Sequence, residues 1–403
     1  MTDKRGIHTP NRRTLLKGAS AMAAFAALGR FPTPAIAQGA PLRVGFMLPY
    51  SGTYTKLGKF IDDAFRLYVE QKGGRLGGRN VEFVQVDDES EPAKATDNMN
   101  RLVSREKVDV VVGTVHSGVA MAMAKVARDT NSMLIIPNAG ANAATGPMCA
   151  PNIWRTSFSN WQPGFPMGKV MYDAGHRNVM TITWRYAAGQ EMVDAFKENF
   201  TKAGGKIVEE LYLPFPQVEF QPLITQIATK KPDAVFSFFA GGGAVKFVKD
   251  YAAAGLKSSI PLYGTGFLTD GTLQAQGADA EGIKTTLHYA DDLDNPANKA
   301  FLAAFKKKTG QDGDVYAVQG YDAAALLNIG LSAVGGDMAA RDKMIAAMRA
   351  AKIDSPRGPI SFSTAHNVVQ NIYLREVKGG LNRYVSIAHA ALADPARGCK
   401  LSS

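Results

Sequence analysis

Val108-Asp109-Val110-Val111-Val112-Gly113-Thr114-Val115-His116-Ser117-Gly118 runs from a β-branched strand through a short turn into the helical run Val119–Asp129, then into a second apolar strand, Leu134–Pro137. A strand that is apolar at nearly every position is covered on both faces, and strands separated by helices pair in parallel. The same rhythm precedes this stretch. Leu42–Leu48 reads as a strand that stops at Pro49-Tyr50-Ser51-Gly52, and Gly58–Lys72 as a helix with Ile61, Ala64, Phe65, Tyr68 and Val69 at helical spacing. Val81–Val86 is the next strand and Pro92–Glu106 the next helix.

The rhythm restarts after Asn142–Pro166, a loop rich in Pro, Asn and Gly. Val179–Trp184, Ile207–Leu213, Ala234–Phe239 and Leu262–Gly264 read as strands, with helices at Glu191–Ala203, Phe220–Lys230 and Ala244–Ala254 between them. Two runs of this kind predict an α/β protein of two doubly wound parallel-sheet lobes. Thr285–Tyr289 reads as a crossover. Helices near Asn298–Thr309, Gln319–Ala333 and Arg341–Ala351 then return to the first lobe, and Ile360–Phe362 and Ile372–Val377 are late strands.

The chain has 403 residues, 46% hydrophobic and 20% charged, an ordinary globular balance with room for large cores. Its formal charge of +10 is concentrated at one end. Residues 1–37 hold six basic side chains against Asp3, which leaves +5 for the other 366 residues and no basic block. Nucleic acid is excluded as a partner on that ground. The same 37 residues follow the layout of an export signal: a basic stretch, the weakly apolar Gly18–Leu28, and Ala35-Ile36-Ala37 as the cleavage site. Asn11-Arg12-Arg13-Thr14-Leu15-Leu16-Lys17 resembles a twin-arginine signal, and a Sec signal that contains the Arg pair is the alternative. The expected compartment is the periplasm. There the two cysteines, Cys149 and Cys399, either pair or stay as two buried thiols.

Catalytic signatures fail. Val115 stands where the first Gly of a Gly-x-Ser-x-Gly elbow belongs, Gly241-Gly242-Gly243 is followed by neither a phosphate-loop nor a dinucleotide pattern, and no histidines sit at metal-ligand spacing. The acidic Asp87-Asp88-Glu89 reads as a solvated loop or a hinge-side contact. The expectation is a binding protein without metal or cofactor, not an enzyme. An exported hydrolase would need Ser117, a His and an acid within hydrogen-bond reach of one another. Ser117 sits where a helix N-cap belongs, beside free backbone N–H groups and a positive helix end, which suits a carboxylate. Pro137-Asn138-Ala139-Gly140-Ala141 follows the next strand, and ligands of open α/β sheets bind beyond the strand carboxyl ends.

An ordered set of segments resembles the periplasmic leucine/isoleucine/valine-binding protein family, the type I solute receptors of ABC importers. The segments are Arg43–Gly52, the Gly-rich Lys72–Arg79, Val86-Asp87-Asp88, Val112-Gly113 with Ser117, Ile136–Ala139, Trp154-Arg155-Thr156, Tyr186–Gly189, Gly320–Ala323 and Arg357-Gly358-Pro359. The resemblance implies three hinge crossings, near Phe158, Tyr289 and Gly358. It divides the chain into one lobe of residues 42–158 plus 290–357, a second of 159–289 plus 358–390, and a tail of 391–403. It also implies a monomer that delivers a small solute to an inner-membrane ABC permease.

Carried over by position, the resemblance makes Ser117, His116 and Gly118 the carboxylate side of the site. Asn138, Ala139 and Gly140 match the loop that holds an amino acid's ammonium, but Gly140 lacks the family's hydroxyl. The second lobe's acid is missing from Tyr263-Gly264-Thr265-Gly266-Phe267, so Gly266 and Phe267 stand where it belongs. A buried ammonium without partners costs several kcal/mol. Aromatic side chains gather instead at Tyr50, Tyr54, His116, Trp184, Tyr186, Phe239 and Phe267. The expected ligand is therefore a small carboxylate, preferably an aromatic acid, with Tyr50, Trp184 and Tyr186 against its ring. A branched-chain amino acid, a short amide or urea is the alternative.

Overall fold

The computed structural model describes Thr2 and residues 40–401, so the export-signal reading of residues 1–37 lies, Thr2 apart, outside it. The first sheet is built from β1 (Leu42–Leu48), α1 (Thr55–Gln71), β2 (Arg75–Leu76), β3 (Arg79–Asp87), α2 (Pro92–Asn100), β4 (Val110–Val112), α3 (Ser117–Thr130), β5 (Met133–Ile136) and β6 (Ile153–Arg155). Its strand order is β2-β3-β1-β4-β5-β6, parallel except for the β2–β3 pair. Alternate side chains of β4 leave by opposite faces, as a pleated strand requires. Val110 and Val112 join the core that holds Phe60 and Phe65 of α1, whereas Val111 packs in the other layer with Val119 and Met123 of α3.

The chain then crosses into α4 (Trp161–Asp173), β7 (Asn178–Trp184), α5 (Ala187–Lys202), β8 (Lys206–Leu213), α6 (Gln221–Lys230), β9 (Ala234–Phe238), α7 (Gly241–Ala253), β10 (Leu262–Thr265), α8 (Leu273–Gln276) and β11 (Lys284–Leu287). It returns through α9 (Pro296–Thr309), α10 (Val315–Ala333) and α11 (Arg341–Arg349), and ends in β12 (Ile353–Ser355), β13 (Gly358–Phe362), β14 (Val368–Lys378) and β15 (Leu381–Leu392). The second sheet runs β12-β13-β14-β11-β10-β9-β7-β8, with β15 also paired to β14. Helices α9 and α10 cover the first sheet's α1: Phe305 meets Phe60 and Tyr321 meets Tyr68, with ring centroids 5.3 and 5.0 Å apart.

Several elements depart from the sequence reading. The helix expected over Pro92–Glu106 is regular only to Asn100 and widens into a π turn at Arg101–Arg105. The expected loop 142–166 contains β6 and the start of α4. Pro163 is tolerated there because the first helical N–H groups have no intrahelical acceptor, so its missing donor costs little. Ile353–Ser355, assigned to the first lobe from sequence, pairs antiparallel with β13 and so joins the second sheet. Asp88 is not solvated: it is buried, accepts from the Thr114 hydroxyl and the Ser90 N–H, and burial pushes its pKa up to about 6.

The crossings are tied by two buried arginines. Arg357 pairs with Asp322 of α10 at 3.0 Å and donates to the carbonyls of Thr156 and Ser157 in the first crossing, while Tyr373 of β14 donates to the Arg357 carbonyl at 2.8 Å. Arg375 of β14 pairs with Asp270 at 2.7 Å and donates to the Tyr289 carbonyl in the second crossing at 2.8 Å.

Beyond β15 the chain adds a strap. Arg397 pairs with Glu198 of α5 at 2.8 Å, and Cys399 is disulfide-bonded to Cys149, in the loop before β6. The bond therefore links the two lobes outside the three crossings and closes a segment with a sequence separation of 250. Replacing both cysteines by serine is expected to lower the unfolding free energy by about 2–4 kcal/mol. Urea unfolding checks this, and an unchanged midpoint would show that the strap holds without the bond.

Candidate functional site

The strand orders place one switch point in each sheet. In the first it lies between β1 and β4, and in the second between β7 and β9, because successive connections there run to opposite sides. Crevices open outside the carboxyl ends of strands at such points. The residues after β1, β4 and β5 (Tyr54, Val115, Ser117, Asn138, Gly140) and those after β7, β9 and β10 (Tyr186, Ala188, Ala240, Phe267) line one shared slot. Phe158 and Asn160 of the first crossing, Phe238 of β9, Met192 of α5, Leu57 of α1 and Tyr316 of α10 complete its wall. The slot holds about 280 Å³ of space between its lining residues, part of it open to solvent. It is narrow, and none of its lining side chains is charged.

Polar groups converge on one part of it. The Asn160 amide donates to Glu191 Oε2 at 2.7 Å and to Ser117 Oγ at 3.3 Å, and its own Oδ1 is buried without a partner. The Asn160 N–H donates to the Gly140 carbonyl at 2.7 Å. Asn138 donates to Gln319 at 2.6 Å, and Gln319 in turn contacts His288 at 3.0 Å. Glu191 carries the acid beside the slot but turns away from it, accepting from Asn160 and from the Asn142 N–H at 2.9 Å. Burial raises its pKa, partly offset by these two bonds.

Ser117 is the first residue of α3 and not its cap. The cap is His116, whose Nδ1 accepts from the Gly118 N–H at 3.1 Å and the Val119 N–H at 3.4 Å. Two of the amides expected to be free for a carboxylate are thus satisfied by an imidazole. A ring that accepts at Nδ1 carries its proton on Nε2, and burial holds its pKa down at about 4. The His116 ring stacks on Tyr186 at 4.7 Å, joining the first lobe to the second. The Ser117 hydroxyl meets Asn160 and not an imidazole, so the Ser–His–acid arrangement of a hydrolase is not assembled at this residue.

Of the residues singled out from sequence, Tyr54, Ser117, Asn138, Gly140, Tyr186 and Phe267 line the slot. Gly140 is small for a steric reason, since a Cβ there would run into the Asn160 amide and the Phe158 ring. His116, Gly118 and Ala139 stand behind the wall. Tyr50 turns its hydroxyl to Asp62 at 3.0 Å. Trp184 is fully buried in the second lobe's core, donating to the Gln217 carbonyl at 2.8 Å and packed where a Cβ on Gly243 would strike its ring. Gly266 packs against Arg375 and Leu287. The neighbouring acid, Asp270, is spent on Arg375, and Phe239 joins the core rings of Phe220 and Phe247. Asn160, Phe238, Met192 and Tyr316 of the wall are not singled out by the sequence, and Phe158 enters it only as a crossing. Only Phe238 had a usable signal: period-two alternation separates it from Phe239.

A family model described as periplasmic binding protein matches residues 41–381. The chain belongs to the periplasmic binding protein family. It is 33% identical over 362 residues to the Leu/Ile/Val-binding protein homolog 6 of Brucella melitensis, covering 88% of this chain and 92% of that one. It is also similar to an ABC-transporter solute-binding protein from R. palustris solved with benzoate, at 54% identity and TM-score 0.88, covering 90% of this chain and 100% of that chain. A second R. palustris protein, solved with 4-hydroxybenzoate, has 32% identity and TM-score 0.83, covering 88% and 98%. The chain is thus a type I solute-binding protein of ABC transport, with the two-lobed fold of its relatives.

His116 makes stability depend on pH. An unfolded imidazole titrates near about 6.5, and the folded value is about 4, so the unfolded chain takes up the proton first. The contribution is complete above about pH 6.5 and is lost progressively toward about pH 4, up to roughly 3 kcal/mol. His116→Asn keeps a side-chain acceptor at the cap without a titrating ring. It is expected to decline less than the wild type in urea unfolding between about pH 7 and about pH 4.5, and an equal decline in both proteins would assign the titration to other groups.

Proposed function

We propose that the slot binds an aromatic carboxylate between the two lobes. The observation that carries this reading is a narrow, uncharged slot walled by the rings of Phe158, Tyr186, Phe238 and Phe267, with neutral donors at the first lobe. A carboxylate needs no cation where a hydroxyl donates to it and the positive end of a helix faces it. An amino acid's ammonium would need an acid, and Glu191 is already engaged by Asn142 and Asn160. Ring stacking adds about 0.5–1.5 kcal/mol per contact beyond burial. The benzoate and 4-hydroxybenzoate held by the two R. palustris relatives support the same reading. In it, residues 1–37 direct export to the periplasm, the ligand docks on Ser117 and the Asn138–Gly140 loop, and closure presents the solute to an inner-membrane ABC permease.

A thermal-shift screen tests this, with benzoates and hydroxycinnamates in one set and leucine, isoleucine, valine and short amides in the other. A ligand at about 100 times its dissociation constant adds about 2.7 kcal/mol. Shifts with the aromatic acids alone are expected. Shifts with leucine or valine would move the chain to the amino-acid function in its Brucella relative's name. Ser117→Ala is expected to weaken every carboxylate about tenfold or more, since hydrogen bonds to charged groups contribute about 1.5–3 kcal/mol. Calorimetry reads the loss.

A further inference from the structure

Two polar atoms of the slot wall are buried without a partner among the described residues, the acceptor Asn160 Oδ1 and the Tyr316 hydroxyl, and only the hydroxyl can donate. Tyr316, the second residue of α10, is 1% exposed, and its hydroxyl is buried without a hydrogen-bond partner among the described residues. A buried hydroxyl left unpaired costs about 1–3 kcal/mol, so its persistence in a slot wall calls for a ligand group. The other two phenols of the wall, Tyr54 and Tyr186, are 3.0 Å apart and satisfy each other across the lobes. The Tyr316 ring lies against Phe267, with centroids 6.2 Å apart, on the ring-binding side of the slot.

The charges around Tyr316 decide which end of a ligand it meets. Asp314 caps α10 through the N–H groups of Tyr316 and Ala317 at 2.9 and 3.1 Å, and its Oδ2 is buried without a partner. Asp270 reaches the same region from the second lobe. Burial first, and then Asp270 and Asp314, keep the Tyr316 hydroxyl a protonated donor, with Arg375 offsetting them in part. A ligand carboxylate brought here would face two buried acids. At α3 it meets the Ser117 hydroxyl and the positive helix end instead.

Resting on the aromatic-acid reading, we infer that Tyr316 is a specificity residue that hydrogen-bonds an oxygen substituent on the ring, remote from the carboxylate. The preferred ligands are then ring-hydroxylated benzoates, and the phenol pair Tyr54–Tyr186 closes the slot beside that substituent.

Calorimetric titration of the full chain with benzoate, 4-methylbenzoate and 4-hydroxybenzoate tests this, in the wild type and in Tyr316→Phe. The methyl compound matches the hydroxyl in shape and lacks its hydrogen bonds. The wild type should bind 4-hydroxybenzoate at least tenfold more tightly than 4-methylbenzoate. In Tyr316→Phe that gap should shrink to within threefold while benzoate changes by less than threefold. Equal binding of 4-methylbenzoate and 4-hydroxybenzoate by the wild type, a measurement independent of the variant's folding, would overturn the proposal. So would a variant that loses benzoate as strongly as 4-hydroxybenzoate, which would put the carboxylate at Tyr316. Failure of all three acids to bind the wild type would remove the aromatic-acid reading itself.

Discussion

Everything about this molecule depends on keeping two lobes in register across three thin crossings, and the group that does so is the Arg357 guanidinium. It is fully desolvated in the turn between β12 and β13 of the second sheet, and it is held by Asp322 of the first lobe and by carbonyls of the first crossing. A buried ion pair gives little net stability, but removing one partner leaves an uncompensated charge and is strongly destabilising. The pair therefore acts chiefly as a constraint. Asp322 shows the cost: burial still pushes its pKa up to about 6 beside the arginine. Arg375 repeats the device at the second crossing, and the Cys149–Cys399 bond adds a covalent link outside the hinges.

That rigid frame sets the chemistry of the slot. Its wall carries donors and rings but no formal charge, while acids and arginines sit one layer behind, already paired or capping helices. Such a site handles a charged ligand through dipoles and hydrogen bonds, avoiding the desolvation of a second ion. The neutral His116 belongs to the same logic, since an imidazolium could not accept from the amides of α3.

The fold was largely legible. Near-continuous apolar runs such as Val110–Val112, each followed by a helical period, are produced by strands covered on both faces and by little else. Slot residues were legible where they follow such a strand directly, as Ser117, Asn138, Tyr186 and Phe267 do. The inward turn of Trp184 is not legible, because the side of a strand end on which a ring emerges depends on what packs there, and Gly243 opens a space for it in the core. Ser117 was misread as the cap because a histidine one residue earlier can satisfy the same amides, and spacing does not distinguish the two.

Read alone, the chain carries the alternation of strands and helices, the doubling into two lobes and the family to which it belongs. Those follow from local periodicity and from short segments in fixed order. The composition of the slot is set through space, by the folded chain. Asn160 comes from a crossing that reads as loop, and Tyr316 from a helix almost 200 residues beyond Ser117 in the chain. Their roles rest on which groups meet through space and on which polar atoms burial leaves without partners, and neither property is written in any one stretch of chain.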